Sequence, residues 1–367
     1  MRKFLNKYFM KINKWKKLEK VIKDDYKNMT GIVVMKDNNI LYENYFNGHM
    51  QDDSIHIASV TKSITSILIG IAIKQGYIKS VHQKLLEFFP DYVLKRGENT
   101  IQKITIQNLL TMTAPYKYKS EPYTKVYSSE DWTKSALDLL GGKGIIGDFK
   151  YSTVGMQVLS GLLVNATGKS ILDFAAENLF EPLNITLPKS KTIKNKTEYL
   201  AFLNDTYSSG WIVDSKGVHT GGWGIALKSK DMAKIGQLYL NKGVWNNVEL
   251  LSSKWIEDST KVSSSWGELS YGYLWWILED AYAAIGDGGN IIYVSPEKEL
   301  VVAITSTFKA RAKDTTEFIR KFILPLLYIS IGDKINLSNF FPTIFKLRLL
   351  KSTTKRINHI FILIRSK

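Results

Sequence analysis

A serine and a lysine three residues apart are the pair in this 367-residue chain whose types and spacing could do chemistry. The tetrad Ser59-Val60-Thr61-Lys62 has the form S-x-x-K. The spacing alone is weakly specific, because S-x-x-K also begins at Ser295, Ser306 and Ser352. Ser59 alone opens a long apolar run of helical period, whereas the others follow strand-like runs or lie in a basic tail. The sequence therefore favours Ser59 as the candidate nucleophile.

An S-x-x-K pair on a helix supplies a serine with its own base. A serine in the first turn lies near the positive end of the helix dipole, and a lysine three residues later shares its face, about 5–6 Å away at Cβ. A half-buried Lys62 is more easily neutral and can accept or relay a proton. The N–H of Ser59 can stabilise a developing oxyanion. The alternative interpretation is a serine that begins a helix beside a solvated lysine.

Tyr151 is the candidate proton partner of Lys62. The segment Tyr151-Ser152-Thr153 precedes an apolar run that predicts a helix. A tyrosine here could act as general base and then as general acid, if the positive charge of Lys62 lowers its pKa. Taken alone, a loop tyrosine is more often a packing residue.

A glycine-rich segment between two strand-like runs is the third candidate. Its sequence is Gly286-Asp287-Gly288-Gly289-Asn290. Glycines at such a point let the backbone approach a ligand closely, but they also form ordinary turns and bulges. This segment is therefore weak evidence for a site by itself.

Hydrophobic periodicity predicts the elements that position these residues. Two strand-like runs, 31–35 and 40–45, form a hairpin, and an apolar helix follows from about 59 to 75. The region 83–204 is predicted to be mostly helical. Further strands, and a helix that closes the body, are predicted at 282–285, 290–294, 300–305 and 314–327.

This order of elements predicts an α/β (α+β) fold in four parts. Strands near both ends indicate a discontinuous α/β domain, 29–82 plus 205–333, around a mainly helical subdomain, 83–204. A cleft between the two is the expected position of the site. A basic amphipathic arm, 1–28, and a basic tail, 334–367, complete the chain.

The formal net charge of +16 is concentrated in the two terminal segments. Residues 1–28 carry +7 and residues 334–367 carry +8, which leaves +1 for the body. This distribution argues against nucleic acid as a partner, because a nucleic-acid enzyme carries positive charge along its cleft. Peripheral contact with an anionic membrane fits the basic termini, and solvated ends are the alternative.

Several classes of chemistry lack their residues. The chain has no cysteine, which removes disulfides, thiolate metal sites and a cysteine nucleophile. It has no H-E-x-x-H, EF-hand, P-loop or G-x-S-x-G pattern, so neither a metal nor a cofactor is expected. His219 could line the cleft, although a satisfied loop histidine is the simpler interpretation. With no signal peptide or spanning segment recognised, a cytoplasmic location is expected, with membrane association through the basic termini as an addition.

Over roughly residues 30–325 the chain resembles the class C β-lactamase-related serine hydrolases, relatives of penicillin-binding proteins and of certain esterases and amide hydrolases. The resemblance implies a mainly antiparallel sheet flanked by helices, with a helical subdomain. It also implies an acyl-enzyme mechanism on a small ester or amide substrate, with Ser59, Lys62 and Tyr151 as catalytic residues. The motifs that carry it beyond these residues are Leu109-Leu110-Thr111-Met112-Thr113, Gly221-Gly222, the segment 230–240, the segment 271–276 and Gly288-Gly289.

Two positions depart from the family pattern. Thr153 stands where the family usually has an asparagine, and Asp287-Gly288-Gly289 stands in place of Lys-Thr-Gly or His-x-Gly. Because residue 287 is an aspartate, this position has no positively charged side chain to hold a substrate carboxylate. This argues against penicillins as substrates and permits neutral or cationic substrates. The substrate-binding residues implied by the resemblance are Thr153, Asp287, Gly288, Gly289 and Asn290, with the N–H of Asn290 as second oxyanion donor.

Two other functions stay open on the sequence. The altered motifs fit a non-catalytic sensor or binding protein of the same fold. The basic termini fit a membrane-associated penicillin-binding protein that acts on the cell envelope. Because a binding protein can spare Ser59, Lys62 and Tyr151, their presence favours an enzyme.

Overall fold

The chain, described by a computed structural model over residues 2–204 and 210–328, is built around one large antiparallel sheet. The strands are β1 (Met29–Lys36), β2 (Asn39–Tyr45), β3 (Ile55–His56), β4 (Ser190–Thr192), β5 (Trp211–Val213), β6 (Ala226–Leu227), β7 (Val244–Trp245), β8 (Val248–Glu249), β9 (Ser264–Trp266), β10 (Leu269–Tyr271), β11 (Trp276–Ile277), β12 (Tyr282–Gly286), β13 (Asn290–Ser295) and β14 (Leu300–Ser306). Eight of them form the sheet in the order β2-β1-β14-β13-β12-β11-β10-β9. Its first two strands come from the N-terminal part of the chain and the other six from the C-terminal part, as predicted.

Helices pack on the sheet and make up much of the chain between β2 and β9. They are α1 (Arg2–Asp25), α2 (Val60–Lys74), α3 (Ile106–Leu110), α4 (Tyr123–Tyr127), α5 (Trp132–Leu137), α6 (Val154–Thr167), α7 (Ile171–Ala175), α8 (Lys196–Asn204), α9 (Ser229–Leu240), α10 (Ser253–Ser259), α11 (Thr315–Phe318) and α12 (Leu324–Tyr328). A π-helical turn, Ile319–Ile323, joins the last two into the closing helix. The predicted fold class is confirmed, and the predicted division into domains stays a prediction.

The central strands are buried on both faces, which explains their unbroken apolar sequences. Every residue of β13 and β14 is buried, and β14 reads Leu-Val-Val-Ala-Ile-Thr-Ser. A strand covered on both sides loses the alternation of polar and apolar residues and keeps β-branched side chains. The strands predicted at 282–285, 290–294 and 300–305 are confirmed for this reason, as is the first hairpin.

Helix α2 passes through the interior between the sheet and α6. Thirteen consecutive residues, from Val60 to Ala72, are buried, so its apolar residues surround the helix and do not form a single stripe. The helix ends at Gln75, before Gly76 in a left-handed conformation. Because α2 is fixed on all sides, the residues of its first turn are rigidly placed.

Part of the basic N-terminal segment packs on the edge of the sheet. Trp15 stacks on Tyr42 of β2 with ring centroids 4.2 Å apart, and Leu18 and Ile22 are buried. Lys16, Lys17, Lys20 and Lys23 are exposed. The tail 334–367 lies outside the described residues, and membrane contact through the termini stays a prediction. Within the described part of the chain, none of the helices combines the length and apolar character needed to cross a membrane.

Candidate active site

The backbone at Ser59 turns sharply into helix α2 and leaves the N–H of Ser59 outside the helical bonds. Ala58 has a positive φ of 49°, an unfavourable conformation for a residue with a side chain, and Ser59 follows as the N-cap of α2. The next three N–H groups donate to Ile57, Ala58 and Ser59. Among the described residues, no backbone carbonyl accepts the N–H of Ser59. This donor is therefore not used by the backbone, and the Ser59 hydroxyl beside it is partly exposed.

Lys62 is buried directly behind Ser59. Its Nζ lies 2.8 Å from Ser59 Oγ and 2.8 Å from the carbonyl oxygen of Gly222, and the residue is 1% exposed. Burial lowers the pKa of Lys62 to about 7, and the carboxylates of Glu121 and Asp287 partly oppose this shift. Near neutral pH the amine can therefore accept a proton from Ser59.

Tyr151 lies beside both members of this pair. Its ring centroid is 5.0 Å from Lys62 Nζ, and the ring stacks on Trp276 at 5.9 Å. Burial raises the pKa of Tyr151 above its usual value, although a hydrogen bond with Ser59 opposes the shift. The sequence-based condition that the lysine charge lowers this pKa is therefore wrong. Tyr151 is therefore protonated at neutral pH, and of the two groups the Lys62 amine is the one whose pKa lies in the neutral range.

Gly222 brings a backbone carbonyl to the Lys62 amine, and Thr153 lies against this glycine. A Cβ on Gly222 would lie 2.8 Å from the Thr153 methyl and 2.9 Å from its carbonyl oxygen, so only glycine brings this backbone to Lys62. The hydroxyl of Thr153 hydrogen-bonds Tyr123. Thr153 thus lies against Gly222, whose carbonyl oxygen is the second acceptor of the Lys62 amine after Ser59 Oγ.

The end of β12 lies against the backbone N–H of Ser59. A Cβ on Gly286 would lie 3.0 Å from Ser59 N and 3.1 Å from Val60 N. Gly288 and Gly289, in the turn that follows, have φ values of +82° and +96°, which glycine adopts without strain. Asn28 donates from Nδ2 to the carbonyl oxygen of Gly288 at 2.7 Å and fixes this turn.

Asn290 is a structural residue of the hairpin, which corrects its prediction as an oxyanion donor. It pairs with Gly286 across β12 and β13, so its backbone is engaged within the hairpin. Its side chain is buried, accepts from Ser306 N at 2.9 Å and donates to the carbonyl oxygens of Asp287 and Ser306. Asp287, in contrast, raises the pKa of both Lys62 and Tyr151, so its charge acts on the candidate catalytic groups.

A carboxylate that sequence reasoning missed lies behind the Tyr151 loop. Glu121 accepts from Ser152 Oγ at 2.6 Å, from Val154 N at 2.8 Å and from the hydroxyl groups of Tyr118 and Tyr123. In the sequence, Glu121 is a single acidic residue among tyrosines in a predicted loop. Nothing in that pattern reveals that four hydrogen-bond donors converge on its carboxylate.

His219 does not belong to the site. Its Nε2 lies 2.9 Å from Ser190 Oγ, and the ring packs 5.3 Å from that of Trp211. Burial lowers the pKa of His219 to about 4, so it is neutral at physiological pH. Within the described residues, no group of three or more acidic or histidine side chains could hold a metal ion.

Comparison with known proteins gives this site its family. The family model described as Beta-lactamase matches residues 18–321, which include every site residue above. The chain belongs to the β-lactamase family. Its antiparallel sheet with the S-x-x-K helix behind it is the arrangement that the sequence resemblance implied.

Individual relatives of this β-lactamase-family protein are distant. It is 21% identical over 302 residues to the 6-aminohexanoate-dimer hydrolase of Paenarthrobacter ureafaciens, covering 75% of this chain and 72% of that protein. It is 25% identical over 303 residues to the N-acetylmuramyl-L-alanine amidase of Bacillus subtilis strain 168, covering 69% and 67%. The octameric penicillin-binding protein homologue from Pyrococcus abyssi shares the fold with a TM-score of 0.65 at 21% identity, over 85% of this chain and 77% of that one. The family match and these relatives identify a hydrolase.

The lowered pKa of Lys62 predicts how the reactivity of Ser59 depends on pH. The rate of Ser59 modification by a fluorophosphonate should rise about tenfold from pH 6 to pH 8, because the neutral amine is the base. Lys62→Met should reduce the rate at least about 100-fold. Lys298→Met, at the lysine of the tetrad that begins at Ser295, is the matched control. A rate without a midpoint near pH 7, or an active Lys62→Met, would contradict this role.

Proposed function

We propose that this protein is a serine hydrolase that forms an acyl-enzyme at Ser59 and cleaves an ester or amide bond in a small molecule. The observation that carries the proposal is the 2.8 Å contact between Ser59 Oγ and a buried lysine amine whose pKa is lowered to about 7. A buried amine is costly to keep charged, so its place beside a partly exposed hydroxyl supports a catalytic role.

Lys62 and Tyr151 together move the protons of the reaction. Neutral Lys62 takes the proton of Ser59 as Oγ bonds to the substrate carbonyl carbon. Tyr151 then gives its proton to the leaving oxygen or nitrogen and receives one from Lys62, so the alcohol or amine departs neutral and Lys62 is neutral again. Water releases the acid by the same steps in reverse, and Ser59 regains its proton.

The geometry of the β11–β12 hairpin supports Asp287 as the second oxyanion donor. Leu278 N donates to the carbonyl oxygen of Ala281 at 2.8 Å. Because hydrogen-bonded and non-bonded pairs alternate in an antiparallel ladder, Ala283 then directs its N–H towards β11. The same alternation directs the N–H of Asp287 to this side, beyond the end of β11. With the N–H of Ser59 it can hold the oxyanion, and losing one such donor typically costs about 2.7–4 kcal/mol.

The acidic side chain of Asp287 bears on which substrates enter. Its charge acts on Lys62 and Tyr151, so a substrate group near the catalytic pair lies in the same field. A carboxylate there is repelled, and a neutral or cationic group is accepted. Small esters and amides without an anionic group beside the scissile bond are therefore the proposed substrates.

Covalent labelling tests the nucleophile. Intact-protein mass spectrometry should show one adduct per chain after exposure to a fluorophosphonate or a short-chain p-nitrophenyl ester, and none with a penicillin. Ser59→Ala should abolish the adduct, whereas Ser295→Ala should keep it. Ser295 is the matched control because it begins another S-x-x-K tetrad but donates to the carbonyl oxygen of Asp280.

The other outcomes of the labelling experiment point to other functions. A penicillin adduct at Ser59 would contradict the substrate assignment and indicate a penicillin-binding protein. The absence of every adduct, with the fold intact, would contradict the enzyme and favour a binding protein.

Asp287 predicts a charge preference that can be measured directly. Three p-nitrophenyl esters of equal acyl length, ending in a trimethylammonium, a methyl or a carboxylate group, should give kcat/KM values that fall in that order. Asp287→Asn should reduce the cationic-to-anionic ratio about tenfold, because one charge at this range contributes roughly 1–2 kcal/mol. A ratio unchanged in Asp287→Asn would remove Asp287 from substrate selection.

A further inference from the structure

Glu121 collects four hydrogen bonds in the loop that faces the Tyr151 segment. Its Oε1 accepts from Ser152 Oγ at 2.6 Å, from Val154 N at 2.8 Å and from Tyr118 at 3.0 Å, and its Oε2 accepts from Tyr123. A carboxylate with this many donors holds a single orientation. Two donors come from its own loop and two from the segment after Tyr151, so Glu121 joins segments that lie 31 to 33 residues apart in the sequence.

The bond to Val154 places this carboxylate at the start of helix α6. Val154 is the first residue of α6, and its N-cap Thr153 makes no side-chain capping bond. A carboxylate that accepts an N–H in the first turn of a helix satisfies an otherwise unpaired donor and interacts favourably with the helix dipole. Glu121 therefore caps α6 from another loop.

Tyr151 is fixed through this cap. It directly precedes Ser152, whose hydroxyl donates to Glu121 and accepts from Gly155 N at 2.9 Å. Its ring reaches forward to the Ser59–Lys62 pair and stacks on Trp276. Because Tyr151 and Ser152 are adjacent in the chain, the position of Ser152 determines how close the Tyr151 hydroxyl lies to Ser59 and Lys62.

We propose that Glu121 is a positioning residue that holds Tyr151 in register with Ser59 and Lys62. This inference rests on the proposed function, since it gives Tyr151 a part in proton transfer. Misplacing a reacting group by about 1 Å can cost about 100-fold in rate, so an anchor for Ser152 has a large effect without touching substrate.

The charge of Glu121 provides a readout that a purely structural residue would lack. Its negative charge raises the pKa of Lys62, which burial lowers, and Asp287 acts in the same direction. Lys150 also lies in the field of this carboxylate, as do Tyr116, Tyr118, Tyr123 and Tyr127. Burial raises the pKa values of these tyrosines further above their usual value, so they stay protonated near neutral pH. Removing the charge should therefore shift the acidic limb of the pH profile to lower pH.

The test combines Glu121 and Tyr151 variants with one ester substrate. Glu121→Ala should lower kcat about 100-fold and change KM little. Glu121→Gln, which keeps an acceptor oxygen, should lose less kcat, and the midpoint of its kcat/KM profile should fall below that of the wild type. In a Tyr151→Phe background, Glu121→Ala should cause no further loss of kcat, because it acts through Tyr151. Asp214→Asn is the control, since Asp214 accepts N–H bonds from Trp132, Lys216 and Val218 elsewhere in the chain.

The outcomes separate this inference from the proposed function. Full activity in Tyr151→Phe would overturn the part of Tyr151 in the mechanism. A strong loss in Tyr151→Phe together with wild-type kcat in Glu121→Ala would overturn the positioning role and leave the mechanism standing. Additive losses of kcat in the Tyr151→Phe/Glu121→Ala double variant would also overturn the positioning role. So would a kcat/KM pH profile of Glu121→Gln that coincides with that of the control Asp214→Asn.

Discussion

The burial of one lysine amine is the constraint on which the rest of the site depends. Lys62 is 1% exposed, so its amine cannot be solvated by water and must find acceptors in the protein. Ser59 Oγ and the carbonyl oxygen of Gly222 supply them. Both acceptors lie close to the amine. Ser59 does so because it is three residues before Lys62 at the start of the same helix, and Gly222 because it has no Cβ. The packing that buries the amine is also what lowers its pKa to about 7, which the proposed mechanism requires of a base.

Two carboxylates from different segments of the chain adjust the pKa of this amine. Glu121 and Asp287 both raise the pKa of Lys62 against the effect of burial. Each also serves the backbone, since Glu121 caps α6 and Asp287 begins the turn that follows Gly286. The charge that tunes the amine is therefore delivered by the segments that place the other catalytic groups. A substitution at either position changes geometry and protonation together.

Local sequence patterns were sufficient for the parts of the site that lie on one element. The S-x-x-K pair could be placed because both residues share the first turn of an apolar helix, and the buried strands could be placed from their apolar runs. Contacts between distant segments could not. Glu121 meets Val154 across 33 residues and Lys62 meets Gly222 across 160, and no periodicity encodes either contact. The direction of the Tyr151 pKa shift and the hairpin role of Asn290 likewise depend on tertiary packing.

Direct titration of Lys62 tests the central claim. Nuclear magnetic resonance of the protein labelled with carbon-13 at lysine Cε, with Lys62→Met used to assign the signal, measures the pKa of this one amine. The mechanism predicts a titration midpoint at about pH 7 for Lys62, whereas solvated lysines titrate at about pH 10.4. A Lys62 midpoint above about pH 10 would show that the amine is charged at neutral pH and would contradict its role as the base that activates Ser59.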